Sequence, residues 1–453
     1  MSGKGIHASK MTSASWIHAI ASRWAWLVRS PFHRVVWFVA LSIGWTLSLI
    51  RWVQRKPCGA ARYDVNVVEA EARRLAGDAE ASFEDRFHHD ALSVVPQAML
   101  QSDIRHFVFA LPLAHILEKK LRVERAVRLG RVAKNRPPAV FIIGLPRTGS
   151  TLLHQLCGMD SRMRTIRVWE YKMPLVLSSA PADKQERIVQ MQKRLDFFYR
   201  IAPSIRAVHF ISATDPDECV QGFVDCALPE WYLWGAIDAP DAFDWYVNGD
   251  MTAQYQNLER LIQVALFDDE EGDVANDKPQ RDRSCHLILK SPHHTSKLPE
   301  IASVFPEAKF VWLHRDPVKS VGSCCSMNEA ILDVTCARYV DPHVLGARTM
   351  ERLALCLEKG ARDREELERQ GRVFVDVQYD DLMRDPLAAL KAMYTKLGLD
   401  ANFPAEFVRD VVDHTQNEQR QVWKEHRYSL DHFGLNENAV RRRFAAYSAR
   451  FLQ

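Results

Sequence analysis

Apolar residues are spaced along this chain in two alternating ways. Short unbroken runs occur at Phe141-Ile142-Ile143-Gly144-Leu145, at His286-Leu287-Ile288-Leu289-Lys290, at Lys309-Phe310-Val311-Trp312-Leu313-His314 and at Arg372-Val373-Phe374-Val375-Asp376-Val377. Runs this short and this apolar predict strands buried on both faces. Between them lie helical patterns. Residues 183–202 place Ile188, Met191, Leu195 and Phe198 on one face, an amphipathic helix whose expected partner is the sheet core. Further helices are expected over 297–305 and 380–397. Strand and helix in alternation predict βαβ units, a parallel sheet, and functional groups at the strands' carboxyl ends.

Residues 64–135 read as a charged helical lead-in, with Leu111-Pro112 as an internal break and Asn135-Arg136-Pro137-Pro138 as a stop before the first strand. Phe223 to Tyr246 is dense in aromatic residues, including Trp231, Tyr232, Trp234 and Trp245, a composition of packing or of a pocket wall. The acidic stretch 268–282 is expected to be a solvated loop.

The amino-terminal sixty residues differ from the rest. They hold eight Lys/Arg and no Asp or Glu, so that of 60 basic and 57 acidic residues overall, 52 and 57 remain downstream. Such a body does not present the basic face of a nucleic-acid binder. Residues 35–50 form an uncharged run of sixteen closed by Arg34 and Arg51, and six of the twelve tryptophans lie in or near it. At about 20 residues for a full span, the run is short; Trp and Arg flanks suit a helix at a membrane surface. A transit peptide or a helix docked on the body are the competing readings. The nine cysteines have no C-x-x-C spacing, and no N-x-[ST] sequon occurs. Both favour a reduced, cytoplasmic catalytic body, associated with a membrane through residues 1–60.

The chemistry concentrates where the first strand ends, in Gly144-Leu145-Pro146-Arg147-Thr148-Gly149-Ser150-Thr151. Two glycines permit a tight turn, successive amides point inward, and a helix N-terminus near Ser150 offers partial positive charge to a phosphate. A P-loop NTPase carries lysine where Ser150 stands, which counts against a kinase or ATPase. A second turn, His314-Arg315-Asp316-Pro317, leaves another strand, and Ser323 follows about two helical turns later. Arg315 and Ser323 can hold a second phosphate. A further strand ends in Lys290-Ser291-Pro292.

These ordered motifs, with Val377-Gln378-Tyr379-Asp380-Asp381-Leu382 and a terminal His426-Arg427-Tyr428-Ser429-Leu430, resemble the sulfotransferases that use 3′-phosphoadenosine 5′-phosphosulfate, PAPS. The likeness extends over about residues 137–450 and is strongest to the bacterial-type branch, close to the protein-tyrosine branch, which has arginine in the loop. It implies an α/β P-loop-like three-layer fold with a central parallel sheet, preceded by an N-terminal helical extension, residues 61–136. The catalytic domain would occupy 137–453.

By resemblance, Gly144, Pro146, Arg147, Thr148, Gly149, Ser150 and Thr151 cradle the 5′-phosphosulfate, Arg315 and Ser323 take the 3′-phosphate, and Tyr379 lies near adenine. Arg147 and Lys290 would stabilise charge on the leaving phosphate oxygen, with no metal required. The acceptor, a hydroxyl or amine, would lose its proton to Glu170, placed 23 residues after Arg147 as in that branch; His293 or His209 are the alternatives. A lipid, glycolipid or other small molecule would suit the aromatic segment and a nearby membrane. The remaining alternative is an inactive nucleotide-binding protein held at a membrane.

Overall fold

The computed structural model describes residues 106–174, 181–201, 205–206, 210–223, 240–275, 285–335, 341–416 and 429–452, with 70 and 73–74. The basic segment 1–60, most of the aromatic stretch, and residues 209 and 426–428 lie outside them. Among the described residues, no helix is long and apolar enough to cross a membrane.

The elements in chain order are α1 (His106–Arg128), β1 (Ala139–Gly144), α2 (Ser150–Met159), β2 (Met163–Thr165), α3 (Val168–Lys172), α4 (Pro181–Ile201), α5 (Pro240–Asn248) and α6 (Thr252–Ala275). Then follow β3 (His286–Lys290), α7 (Leu298–Val304), β4 (Lys309–His314), α8 (Pro317–Thr335), α9 (Pro342–Arg369), β5 (Phe374–Gln378), α10 (Tyr379–Arg384), α11 (Pro386–Lys396), α12 (Ala405–Gln416), α13 (Glu437–Arg443) and α14 (Ala445–Phe451).

The five strands form one parallel sheet in the order β2-β3-β1-β4-β5. All six residues of β1 are buried, because side chains alternate between two covered faces. Phe141, Ile143, Leu289, Phe310 and Trp312 face a core closed by residues of α6 to α9 and the C-terminal helices. Val140, Ile142, Ile288, Val311, Leu313 and Val375 face a second core made with α2, α11 and α12. The fold is therefore α/β with three layers. Leu117, Leu121, Val123 and Ala126 of α1 join the first core, which docks the helical extension on the body.

Local expectations fail where packing overrides a sequence signal. Pro112 does not break α1, which runs through it; the helix forgoes one bond to the carbonyl of Val108 and continues. The acidic residues 268–273 are not loop but extend α6. The single helix expected over 380–397 is two, because Asp385 caps the Ala388 amide (2.9 Å) and Pro386 restarts the turn. Helix α4 does not meet the sheet. Its Ile188, Met191 and Leu195 pack on Val168, Trp169 and Ala213, building a small core over α3.

Candidate active site

Strand β1 is central, and its neighbours β3 and β4 are reached by separate crossovers, so the crevice at its carboxyl end is the switch point of the sheet. The loop after it is built of unusual backbone. Gly144 has φ +129° and Gly149 φ +84°. A Cβ on Gly144 would lie 2.5 Å from the Leu313 carbonyl oxygen, so β1 and β4 approach too closely for a side chain. Arg147 alone among the described non-glycine residues has positive φ, +66°, a strained conformation of the kind that clusters at ligand clamps. Thr148 Oγ1 ties the turn to the Leu145 carbonyl at 2.8 Å.

The turns that leave β1 and β4 meet. Arg147 donates from Nε to Ser323 Oγ at 3.0 Å, and Arg315 donates from Nη1 to the Arg147 carbonyl at 2.6 Å. Tyr379, at the start of α10, lies under the Arg315 guanidinium, 4.0 Å from ring centroid to Cζ. A Cβ on Gly149 would lie 3.1 Å from the Tyr379 ring, which places this tyrosine against the cradle. Lys290 ends β3 and reaches across to Thr151 Oγ1 at 3.4 Å. Ser150 opens α2, whose first amides face the same crevice.

Glu170 stands otherwise than the sequence suggests. It is buried in α3, with Oε1 on Arg164 Nη2 at 2.5 Å, and Oε2 on Arg164 Nη1 at 3.0 Å and on the Arg167 amide at 2.7 Å. A carboxylate so engaged anchors the start of α3. His293 is wholly buried under Tyr246, whose hydroxyl donates to the His293 carbonyl at 3.0 Å. Both residues are buried, Glu170 against Arg164 and His293 beneath Tyr246.

The carboxylate that does face the cations is Glu218, 7% exposed. Lys290 Nζ lies 2.5 Å from its Oε1, and Ser291 Oγ 3.4 Å from its Oε2. Its position follows from a short antiparallel contact beyond the sheet edge. Arg167 bridges Pro216, and the amides of Val168 and Asp217 bond the carbonyls of Asp215 and Ile166, each at 3.1 Å. The segment before Glu218 is thereby laid along β2's exit, next to β3. Burial raises the Asp217 carboxyl above its ordinary range, against the pull of Lys172. Burial, reinforced by Lys290, pushes His154 down to about 3, so a neutral imidazole backs the site; its Nε2 lies 3.3 Å from the Ile288 carbonyl.

Thr295 was also unforeseen. Its hydroxyl accepts from the Gly144 amide at 2.9 Å and donates to the Gly144 carbonyl at 3.1 Å, clamping the residue where β1 turns. The sequence signal that could have found Glu218 is modest: a run of Asp215-Pro216-Asp217-Glu218 with no helical or strand period.

Residues 138–403 match the model of a family described as the sulfotransferase family. The omega-hydroxy-beta-dihydromenaquinone-9 sulfotransferases Stf3 of Mycobacterium bovis and Mycobacterium tuberculosis are each 26% identical over 309 residues, 64% of this chain and 73% of theirs. In overall fold the chain is similar to sulfotransferase STF1 from Mycobacterium tuberculosis H37Rv, with a TM-score of 0.69 at 24% identity, over 85% of this chain and 99% of that one. Sulfotransferase STF9 from Mycobacterium avium gives 0.68 at 20%, over 86% and 98%. With a glycine-turned cradle at the sheet's switch point and a family match across more than half its length, the chain belongs to the sulfotransferase family.

Proposed function

We propose that the crevice binds PAPS and passes its sulfuryl group to a hydroxyl on a lipid-like acceptor. The carrying observation is the convergence of Arg147, Lys290, Arg315 and Ser323 from three strand ends. In this reading Gly144–Thr151 and the α2 N-terminus hold the 5′-phosphosulfate, and Arg315 with Ser323 takes the 3′-phosphate. Ser150 in place of a lysine leaves room for Lys290 to supply the cation from the neighbouring strand.

Transfer breaks the bond between sulfur and the bridging phosphate oxygen and forms one to the acceptor oxygen. Charge grows on the leaving oxygen, where Arg147 and Lys290 stabilise the transition state more than the ground state. The acceptor's proton goes to Glu218. Lys290 couples the two events: as the leaving oxygen attracts its charge, Glu218 loses its counter-ion and becomes a stronger base.

A hydrophobic acceptor is favoured because the Stf3 relatives are named for a hydroxylated dihydromenaquinone. Purified protein incubated with PAPS labelled in the sulfuryl group and with fractionated bacterial lipid extract tests this. Label entering a lipid fraction is expected. Binding of 3′-phosphoadenosine 5′-phosphate without transfer to any fraction would leave an inactive nucleotide-binding protein, and Mg-dependent ATP turnover a kinase or NTPase.

A further inference from the structure

Beside the cradle, the C-terminal helix α14 touches the residue that leads into the second phosphate motif. Tyr447 is buried on α14. Its phenolic oxygen lies 2.9 Å from Nδ1 of His314, the residue that precedes Arg315. His314 Nε2 in turn lies 2.7 Å from Asp376 Oδ1. Arg364 grips the same carboxylate as a fork, Nη1 to Oδ1 at 2.6 Å and Nη2 to Oδ2 at 2.9 Å.

The proton directions in this chain follow from its Arg364 end. Arg364 keeps the Asp376 carboxylate ionised, so His314 carries its proton on Nε2, aimed at that carboxylate. His314 Nδ1 then accepts from the Tyr447 hydroxyl. The imidazole is stacked on Phe451 at 4.7 Å and on Trp312 at 5.7 Å, which fixes its plane. From Arg315, next after His314, the chain continues: its guanidinium holds the Arg147 carbonyl, and Arg147 holds Ser323. Five elements, β4, β5, α8, α9 and α14, therefore share one connected network that ends in the two phosphate motifs.

We propose that Tyr447 is a positioning residue that holds His314, and through it the strand end from which Arg315 leaves, so that the C-terminal helix sets the enzyme's preference for a nucleotide carrying a 3′-phosphate. The inference rests on the reading that Arg315 and Ser323 hold that phosphate. Tyr447 touches no substrate; it acts through His314, the neighbour of Arg315, and its ring contact with Phe451, 5.3 Å between centroids, is independent of the hydroxyl.

The test uses the full chain and two nucleotides that differ only in the group at issue, 3′-phosphoadenosine 5′-phosphate and adenosine 5′-phosphate, titrated calorimetrically. The unsubstituted protein is expected to prefer the first. Tyr447→Phe keeps the ring and removes the hydroxyl; it should weaken the 3′-phosphorylated nucleotide about fivefold, the scale of one lost hydrogen bond, and leave adenosine 5′-phosphate within about twofold. His314→Phe keeps the stack on Phe451 and removes the acceptor of the tyrosine proton. It should give a similar loss of the same selective kind, and the double variant should lose no more than Tyr447→Phe alone. Equal losses for both nucleotides, or undiminished preference in Tyr447→Phe and His314→Phe, would overturn the positioning role. Absence of any preference in the unsubstituted protein would instead remove the assignment of Arg315 and Ser323 to a 3′-phosphate.

Discussion

Replacing Glu218 by Gln separates the proposed base from the carboxylate that the sequence favoured. At 2.5 Å from Lys290, the pair has roughly 7 kcal/mol of gross attraction at an effective dielectric near 20. Desolvation of two buried ions cancels much of this, and removing one partner of such a pair costs about 3–5 kcal/mol. Glutamine keeps a carbonyl for Lys290, so the lower figure applies, a fall of roughly 3 °C in melting temperature for a protein of this size. Glu170→Gln breaks an equally short and buried pair, 2.5 Å to Arg164, and should cost stability on the same scale. Stability therefore cannot tell the two carboxylates apart; turnover can. Measured well below both melting temperatures, with saturating donor and an acceptor found by label transfer, Glu218→Gln should lose about two to four orders of magnitude in kcat. Glu170→Gln should stay within about fivefold, and both should bind 3′-phosphoadenosine 5′-phosphate as the parent does. Turnover preserved in Glu218→Gln, or lost only in Glu170→Gln, would refute the assignment.

Gly144→Ala should abolish nucleotide binding and destabilise the chain by more than about 2 kcal/mol, since positive φ alone costs about 1–2 kcal/mol and the new methyl meets Leu313 O; calorimetric titration and thermal melting check both. Arg147→Lys keeps charge but loses the Nε bond to Ser323, so donor affinity should drop about tenfold with the melting temperature unchanged. Burial pushes both His154 and His294 down to about 3. The unfolded chain thus binds their protons first, and stability falls as pH drops from 6.5 toward 3. His154→Gln should shrink the difference in melting temperature between pH 7 and pH 5; an unchanged difference would show that this imidazole does not titrate on unfolding.

The cradle was legible because everything that builds it is local. An apolar run, two glycines six residues or fewer apart and a helix start specify strand, turn and N-terminus within a dozen positions, and β1 and α2 form there. Arg315 and Ser323 were legible for the same reason, one strand exit and two helical turns. Glu218 was not, because no period marks the segment 213–218, and its place beside Lys290 depends on Pro216 pairing with Arg167, 49 positions before that proline. The pairing of Glu170 with Arg164 was hidden for the same reason, since residue spacing does not encode that β2 aims Arg164 back at α3.

The amino-acid sequence by itself determined the strands, the turns that follow β1 and β4 and the cations at the strand ends, since backbone conformation and helix polarity are set by neighbouring residues. Only the tertiary structure decided which carboxylate faces Lys290, that Thr295 clamps Gly144, and that Tyr447 meets His314 from 133 positions away. Those choices arise when two faces of one sheet are covered at once, and burial then forces each charged or polar group to take the partner the packing leaves beside it.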